Sequence, residues 1–163
     1  MVILGVDPGV RFAGFGIIKK EGAVVYLLDY GCLIMPQSSE LHHRVAMFND
    51  FFATKITQWG VTDLALEIPF MGKNAQNFLK LGYVRGILYL LASKHNLDLH
   101  EYAPTQIKQA VTGFGGADKE QIARIIHQLF PKLKATARAD VTDAIAVTLC
   151  SLWKSHKSQS IKC

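Results

Sequence analysis

The stretch VILGVDPGV, residues 2–10, sets an acid at the end of an otherwise apolar run. Residues 2–7 read as a short strand buried on both faces, because the apolar residues are nearly continuous rather than alternating. An aspartate at the end of such a strand is costly to ionise unless something compensates it. Asp7 precedes Pro8-Gly9, and serving a turn is the commonest role of Asp-Pro-Gly. A second role, as a ligand or catalytic acid, depends on what else the chain brings to the same strand end.

Working outward, residues 13–20 and 23–34 are two further apolar runs around Glu21-Gly22, the pattern of a hairpin. Leu41, Val45, Phe48, Phe52 and Ile56 recur at helical spacing over about 40–58. DLALEI, residues 63–68, is another short apolar strand. Residues 74–95 read as a long helix with Phe78, Leu81, Val84, Leu88 and Leu91 on one side, and with Gly82 and Gly86 placed to let another element approach. A strand at 97–102 follows, and Pro104 suits the opening of the next helix. Asp118 and Gln121 form a capping box for a helix at 119–129, which Pro131 ends. The last helix is expected at about 140–153, with 154–163 a polar, basic, frayed tail. Three strands in a meander followed by right-handed crossovers predict a mixed five-stranded α/β sheet with helices on both faces. VILGV and LALEI belong at its centre as parallel neighbours.

In such a sheet, active sites lie beyond the carboxyl ends of the strands. Asp7 and Glu67 both occupy those ends, on strands about 4.8 Å apart. ARADVTDAIA, residues 137–146, adds Asp140 and Asp143, three apart on one face of a helix at its first turn. Should that turn dock at the same edge, four carboxylates converge, and their repulsion raises their pKa values or calls for cations. Oxygen ligands without a His/Cys cluster favour Mg2+ or Mn2+ over zinc, and two such ions are the apparatus of phosphodiester hydrolysis. Taken singly, Asp140 and Asp143 are better explained by the helix dipole than by metal binding. Glu67 has no turn or dipole duty to explain it.

Beyond Glu67, Phe70 either wedges between bases or packs in the core. Lys73 and Asn74 either meet DNA or open the following helix in solvent. Lys108 and Lys119 flank the glycine-rich TGFGG and can hold a phosphate, although surface lysine is the default for both. The histidines show no paired-ligand spacing, so His42, His43 and His100 are assigned to surface or strand. The chain has 163 residues, enough for one domain, expected at 1–153. Eighteen basic against thirteen acidic side chains give +5, compatible with a polyanionic partner without requiring one. No apolar run reaches membrane-spanning length, and no secretion signal is apparent. Cys32, Cys150 and Cys163 match neither a disulfide framework nor a zinc spacing, so a reduced, cytoplasmic setting is expected.

GVDPGVRFAGFG, ALEIPFMGKNAQNFLKLGYVRG, EYAPTQIKQAVTGFGGADKEQ and ARADVTDAIA together resemble, in order and spacing, the RuvC family of bacterial Holliday-junction resolvases. The likeness spans about residues 1–150. It implies a ribonuclease H-like fold and a homodimeric, Mg2+-dependent endodeoxyribonuclease, with Mn2+ able to substitute and two ions per site. It also implies symmetric nicks in four-way junction DNA that leave 5′-phosphate and 3′-hydroxyl ends. The family's catalytic acids correspond to Asp7, Glu67, Asp140 and Asp143, its junction-contacting aromatic to Phe70, and its important lysines to Lys108 and Lys119. The helix at 74–95 resembles the family's dimer helix, which gives its apolar side and close-packing glycines the purpose of meeting a second copy, and the RuvA–RuvB branch-migration complex is the implied partner. Three other functions compete with this one. A junction binder without catalysis would need a broken acid, and all four are present. A sugar-kinase- or actin-like ATPase needs two domains and a second phosphate loop. A related nuclease acting on another branched DNA or on RNA would use the same chemistry.

Overall fold

A computed structural model describes residues 1–69, 75–134 and 137–158. Five strands, β1 (Val2–Asp7), β2 (Phe12–Glu21), β3 (Val24–Ile34), β4 (Asp63–Glu67) and β5 (Asp98–Tyr102), lie in the order β3-β2-β1-β4-β5. The meander β1-β2-β3 is antiparallel, whereas β1-β4 and β4-β5 are parallel. The two nearly all-apolar strands are therefore central neighbours, as expected. The hairpin turns at Gly22, whose φ of 59° suits glycine.

The sheet separates two cores. On one face, Leu4, Val6, Phe15, Ile17, Leu64 and Leu66 meet α1 (Leu41–Trp59) and α2 (Ala75–Lys94) through Phe48, Phe52, Ile56, Val84, Leu88 and Leu91. On the other, Ile3, Ile18 and Ala65 meet α3 (Pro104–Thr112), α4 (Lys119–Leu129) and α5 (Ala139–Ser158) through Ile107, Ile122, Ile126, Ile145 and Leu149. The capping box of α4 is present: Gln121 N donates to Asp118 Oδ1 at 2.8 Å, and Asp118 N donates to Gln121 Oε1 at 2.9 Å.

Alternation along the strands decides what faces α5. Ile3, Gly5 and Asp7 share one side of β1, Gly14, Gly16 and Ile18 one side of β2, and Asp63, Ala65 and Glu67 one side of β4. Three of these positions are bare. A Cβ on Gly5 would lie 2.0 Å from Thr148 Oγ1, one on Gly14 1.9 Å from the Asp140 carbonyl, and one on Gly16 2.7 Å from Ile145 Cγ1. The glycines let α5 lie directly on the sheet, and Thr148 Oγ1 donates to the Ala144 carbonyl at 2.7 Å within that contact.

Two expectations are corrected. Helix α5 continues to Ser158 rather than stopping at 153. No Gly or Pro interrupts this stretch, Leu152 is buried, Trp153 packs on the core, and Lys154 Nζ sits 5.2 Å from the Tyr102 ring centroid. Core contact thus carries the helix into polar sequence. On α2, Val84, Leu88 and Leu91 are consumed by the chain's own core, while Phe78 is exposed. The free apolar face of α2 is a different one, carrying Leu79, Tyr83 and Leu90, because this helix is apolar nearly all round.

Gly5→Ala is expected to lower stability by about 1–3 kcal/mol through overpacking against α5. Urea unfolding checks this; an unchanged midpoint would show that α5 can lift from the sheet at no cost.

Candidate active site

β1 and β4 run in parallel with Val6 opposite Leu66, so Asp7 and Glu67 emerge side by side one residue further on. Strand alternation turns both toward α5, and the missing side chain at Gly14, the partner of Asp7 in β2, admits the first turn of α5. Asp140 and Asp143 arrive on that turn. The four acids that sequence spacing singled out are thus brought to one edge of the sheet.

Their electrostatics show how closely they are coupled. The pKa of Asp7 is pushed up to about 7, first by burial and then by Asp143, Asp140 and Glu67, with Lys119 opposing. Glu67 is also raised, by burial first and then by Asp143, against the opposing charges of Lys119, Lys108 and Arg85. The helix acids are compensated differently. Lys119 Nζ donates to Asp143 Oδ2 at 2.7 Å, and Arg138 Nε donates to Asp140 Oδ2 at 3.0 Å. The bond to Asp143 is the largest influence raising the Lys119 pKa. Among the described residues, neither Asp7 nor Glu67 has an ion-pair partner.

Lys108 and Lys119 line a cleft with Glu67 and Asp143, walled by Pro104, Ile107, Ile122 and Ala146. Both lysines therefore stand beside the acids, Lys119 with a side chain that is still largely exposed. Phe70, Lys73 and Asn74 lie outside the described residues.

Sequence reasoning missed Arg85 and Arg138. Arg85, buried on α2, donates to the Glu67 carbonyl at 2.7 Å and pairs with Glu101, which also accepts from Tyr89 Oη at 2.7 Å. It braces the end of β4 that presents Glu67. The available signal was a lone cation within the apolar run LGYVRGILYLL. Arg138 lies two residues before Asp140 in sequence, yet nothing in ARAD specifies which way a guanidinium turns.

The donor set fits a hard divalent cation. All four side chains offer carboxylate oxygen, the choice of Mg2+ or Mn2+, and among the described residues Asp7 has no ion-pair partner for a metal ion to displace. A separate group, Glu40, His42 and His43, lies exposed at the start of α1 with its ligand atoms within 4.8 Å of one another. It shares no residue with the acidic edge.

A mixed sheet in this order, with carboxylates gathered over its two central parallel strands, defines a ribonuclease H-like protein. A solved structure entitled "T. thermophilus RuvC in complex with Holliday junction substrate" superposes with a TM-score of 0.90 at 24% identity, covering 97% of this chain and 96% of that one. The chain belongs to the RuvC family: the family model described as "Crossover junction endodeoxyribonuclease RuvC" matches residues 3–151. A curated relative of that name from a Shewanella species is 43% identical over 160 residues, covering 98% of this chain and 90% of its own length. Another, from Pelodictyon phaeoclathratiforme, is 39% identical over 162 residues, covering 99% of this chain and 85% of its own.

The raised Asp7 pKa has a consequence for stability. Below the ordinary value of 3.8 the carboxyl is protonated in both folded and unfolded chains, and no penalty exists. Between that value and about 7 the folded chain retains a proton that the unfolded chain has released, so stability falls as pH rises. In EDTA, Asp7→Asn is therefore expected to be more stable than the wild type by about 2–4 kcal/mol at pH 8, the gain fading toward pH 4. Denaturant titrations across pH test this, and a pH-independent difference would refute it.

Proposed function

We propose that this chain resolves four-way DNA junctions by metal-dependent hydrolysis of phosphodiesters in paired strands. The convergence of Asp7, Glu67, Asp140 and Asp143 at one sheet edge carries the proposal. Family membership supports the substrate, since the curated relatives bear the name of crossover junction endodeoxyribonucleases.

Asp7 and Glu67 are the anchoring ligands, fixed by the strands and, for Glu67, by the Arg85 brace. Asp140 and Asp143 complete the set from α5. Two Mg2+ or Mn2+ ions held there would supply the charge that lets an acidic pocket accept a phosphate, and would activate water for attack. Lys108 and Lys119 border the cleft on its α3–α4 side, placed to hold phosphate oxygens and to offset charge developing during cleavage. The products are 5′-phosphate and 3′-hydroxyl ends. We assign Phe70 to base contact, with Lys73 and Asn74 beside it on the DNA.

The working unit is a homodimer, because a two-fold pair sets two sites on equivalent strands of a two-fold junction. The outer face of α2 supports this. Leu79 is 59% exposed, Tyr83 and Leu90 are exposed with it, and a Cβ on Gly82 or Gly86 would meet nothing within 4 Å. A long apolar stripe with bare glycines suits close helix–helix contact. The expected setting is the cytoplasm, alongside RuvA–RuvB. No helix among the described residues is long and apolar enough to cross a membrane.

Two experiments test the proposal. Four-way, flap and linear DNA are compared with Mg2+ and with EDTA: only the four-way junction with Mg2+ should be cut in symmetric pairs. Asp7→Asn should bind the junction while losing Mg2+-dependent cleavage, a drop of at least about a hundredfold. Preference for flaps, or cutting in EDTA, would favour another activity. For the dimer, Leu79→Glu should raise the dissociation constant by at least about tenfold in analytical ultracentrifugation, and an unshifted constant would place the interface elsewhere.

A further inference from the structure

Arg138 is oddly placed for an arginine. Its carbonyl accepts from Val141 N at 3.0 Å and Thr142 N at 3.4 Å, so it caps the start of α5. A cation at the positive end of a helix dipole is electrostatically disfavoured. Three contacts hold it there, the first a side-chain hydrogen bond with Cys32. The guanidinium carbon stacks 3.9 Å from the Phe12 ring centroid, and Nε donates to Asp140. Arg11 approaches the same ring at 4.9 Å but makes no ion pair with Asp140. The Arg138 side chain is 46% exposed and that of Asp140 30%, so the bond is readily exchanged. An Arg–carboxylate pair and a divalent ion compete for the same oxygens, and a guanidinium displaced onto an aromatic shelf remains at the pocket rim.

We propose that Arg138 is a two-state positioning residue. It holds Asp140 while the pocket lacks a cation, and when a divalent ion claims that carboxylate it turns, still resting on Phe12, to a phosphate of the DNA backbone. This would flank the acids with cations on two sides, Lys108 and Lys119 on one and Arg138 on the other. The inference rests on the assignment of a divalent cation to the acidic cluster. It couples metal and DNA binding: each ligand releases the guanidinium to the advantage of the other.

Mn2+ binding to DNA-free protein, followed by the electron paramagnetic resonance of the free ion, gives the first readout. Arg138→Gln should bind Mn2+ about two- to fivefold tighter than the wild type, the range an exposed ion pair can account for. Arg11→Gln removes an equal charge near the same ring and should change affinity much less. Junction affinity against salt gives the second readout. With Ca2+ present, Arg138→Gln should lose about one unit of the log–log salt slope, and in EDTA it should lose none. Arg138→Lys, which keeps the charge, should retain that slope. Unchanged Mn2+ affinity in Arg138→Gln, an equal gain in Arg11→Gln, or a slope lost equally in EDTA would each overturn the proposal. Should Asp7→Asn bind Mn2+ as the wild type does, the cation assignment itself fails, an outcome distinct from all the others.

Discussion

The structure depends on α5 lying directly on the bare backbone of β1 and β2. Gly5, Gly14 and Gly16 leave no room for even a methyl group beneath Thr148, Asp140 and Ile145. This contact does two things at once. It buries Ile145, Leu149 and Leu152, a large share of one core, and it lowers the first turn of α5 onto the end of β1. Apolar burial along the length of α5 offsets the repulsion concentrated at its first turn. A helix held one side-chain layer higher would keep its core and lose its site.

The charges within the site are unevenly compensated. Among the described residues the strand acids have no ion-pair partner, and burial together with the neighbouring carboxylates holds Asp7 near pKa 7. The helix acids each have a long, flexible cation. Rigid, under-compensated acids form the attractive core for divalent ions, while the lysine and arginine on the rim can leave their carboxylates without disturbing the fold. Such local frustration weakens the apo protein and is the form a ligand-dependent site commonly takes.

Helix α2 serves two surfaces. One side enters the core beneath the sheet and supplies Arg85, which joins the end of β4 to Glu101 on β5. The other presents Leu79, Tyr83 and Leu90 with the open glycines. The brace on Glu67 and the outer stripe therefore sit on one rigid rod, and anything docking on the stripe is mechanically close to the acidic edge.

Strand identity, order and direction were legible because apolar runs of strand length, a glycine-turned hairpin and helix-length crossovers admit few topologies. The four acids were legible for the same reason: strand ends and an i, i+3 pair in a first turn are positions that sequence spacing defines. The free face of α2 was not, since a helix apolar all round has no period to show which side the core will take. Nor was the end of α5, where Trp153 and Lys154 find core contacts that their polar neighbours do not advertise. Spacing alone determined which residues could meet. Only the tertiary structure decided that Arg85 would brace Glu67 and Arg138 would turn to Asp140, because long cationic side chains choose partners by proximity after packing, and no local pattern encodes that proximity.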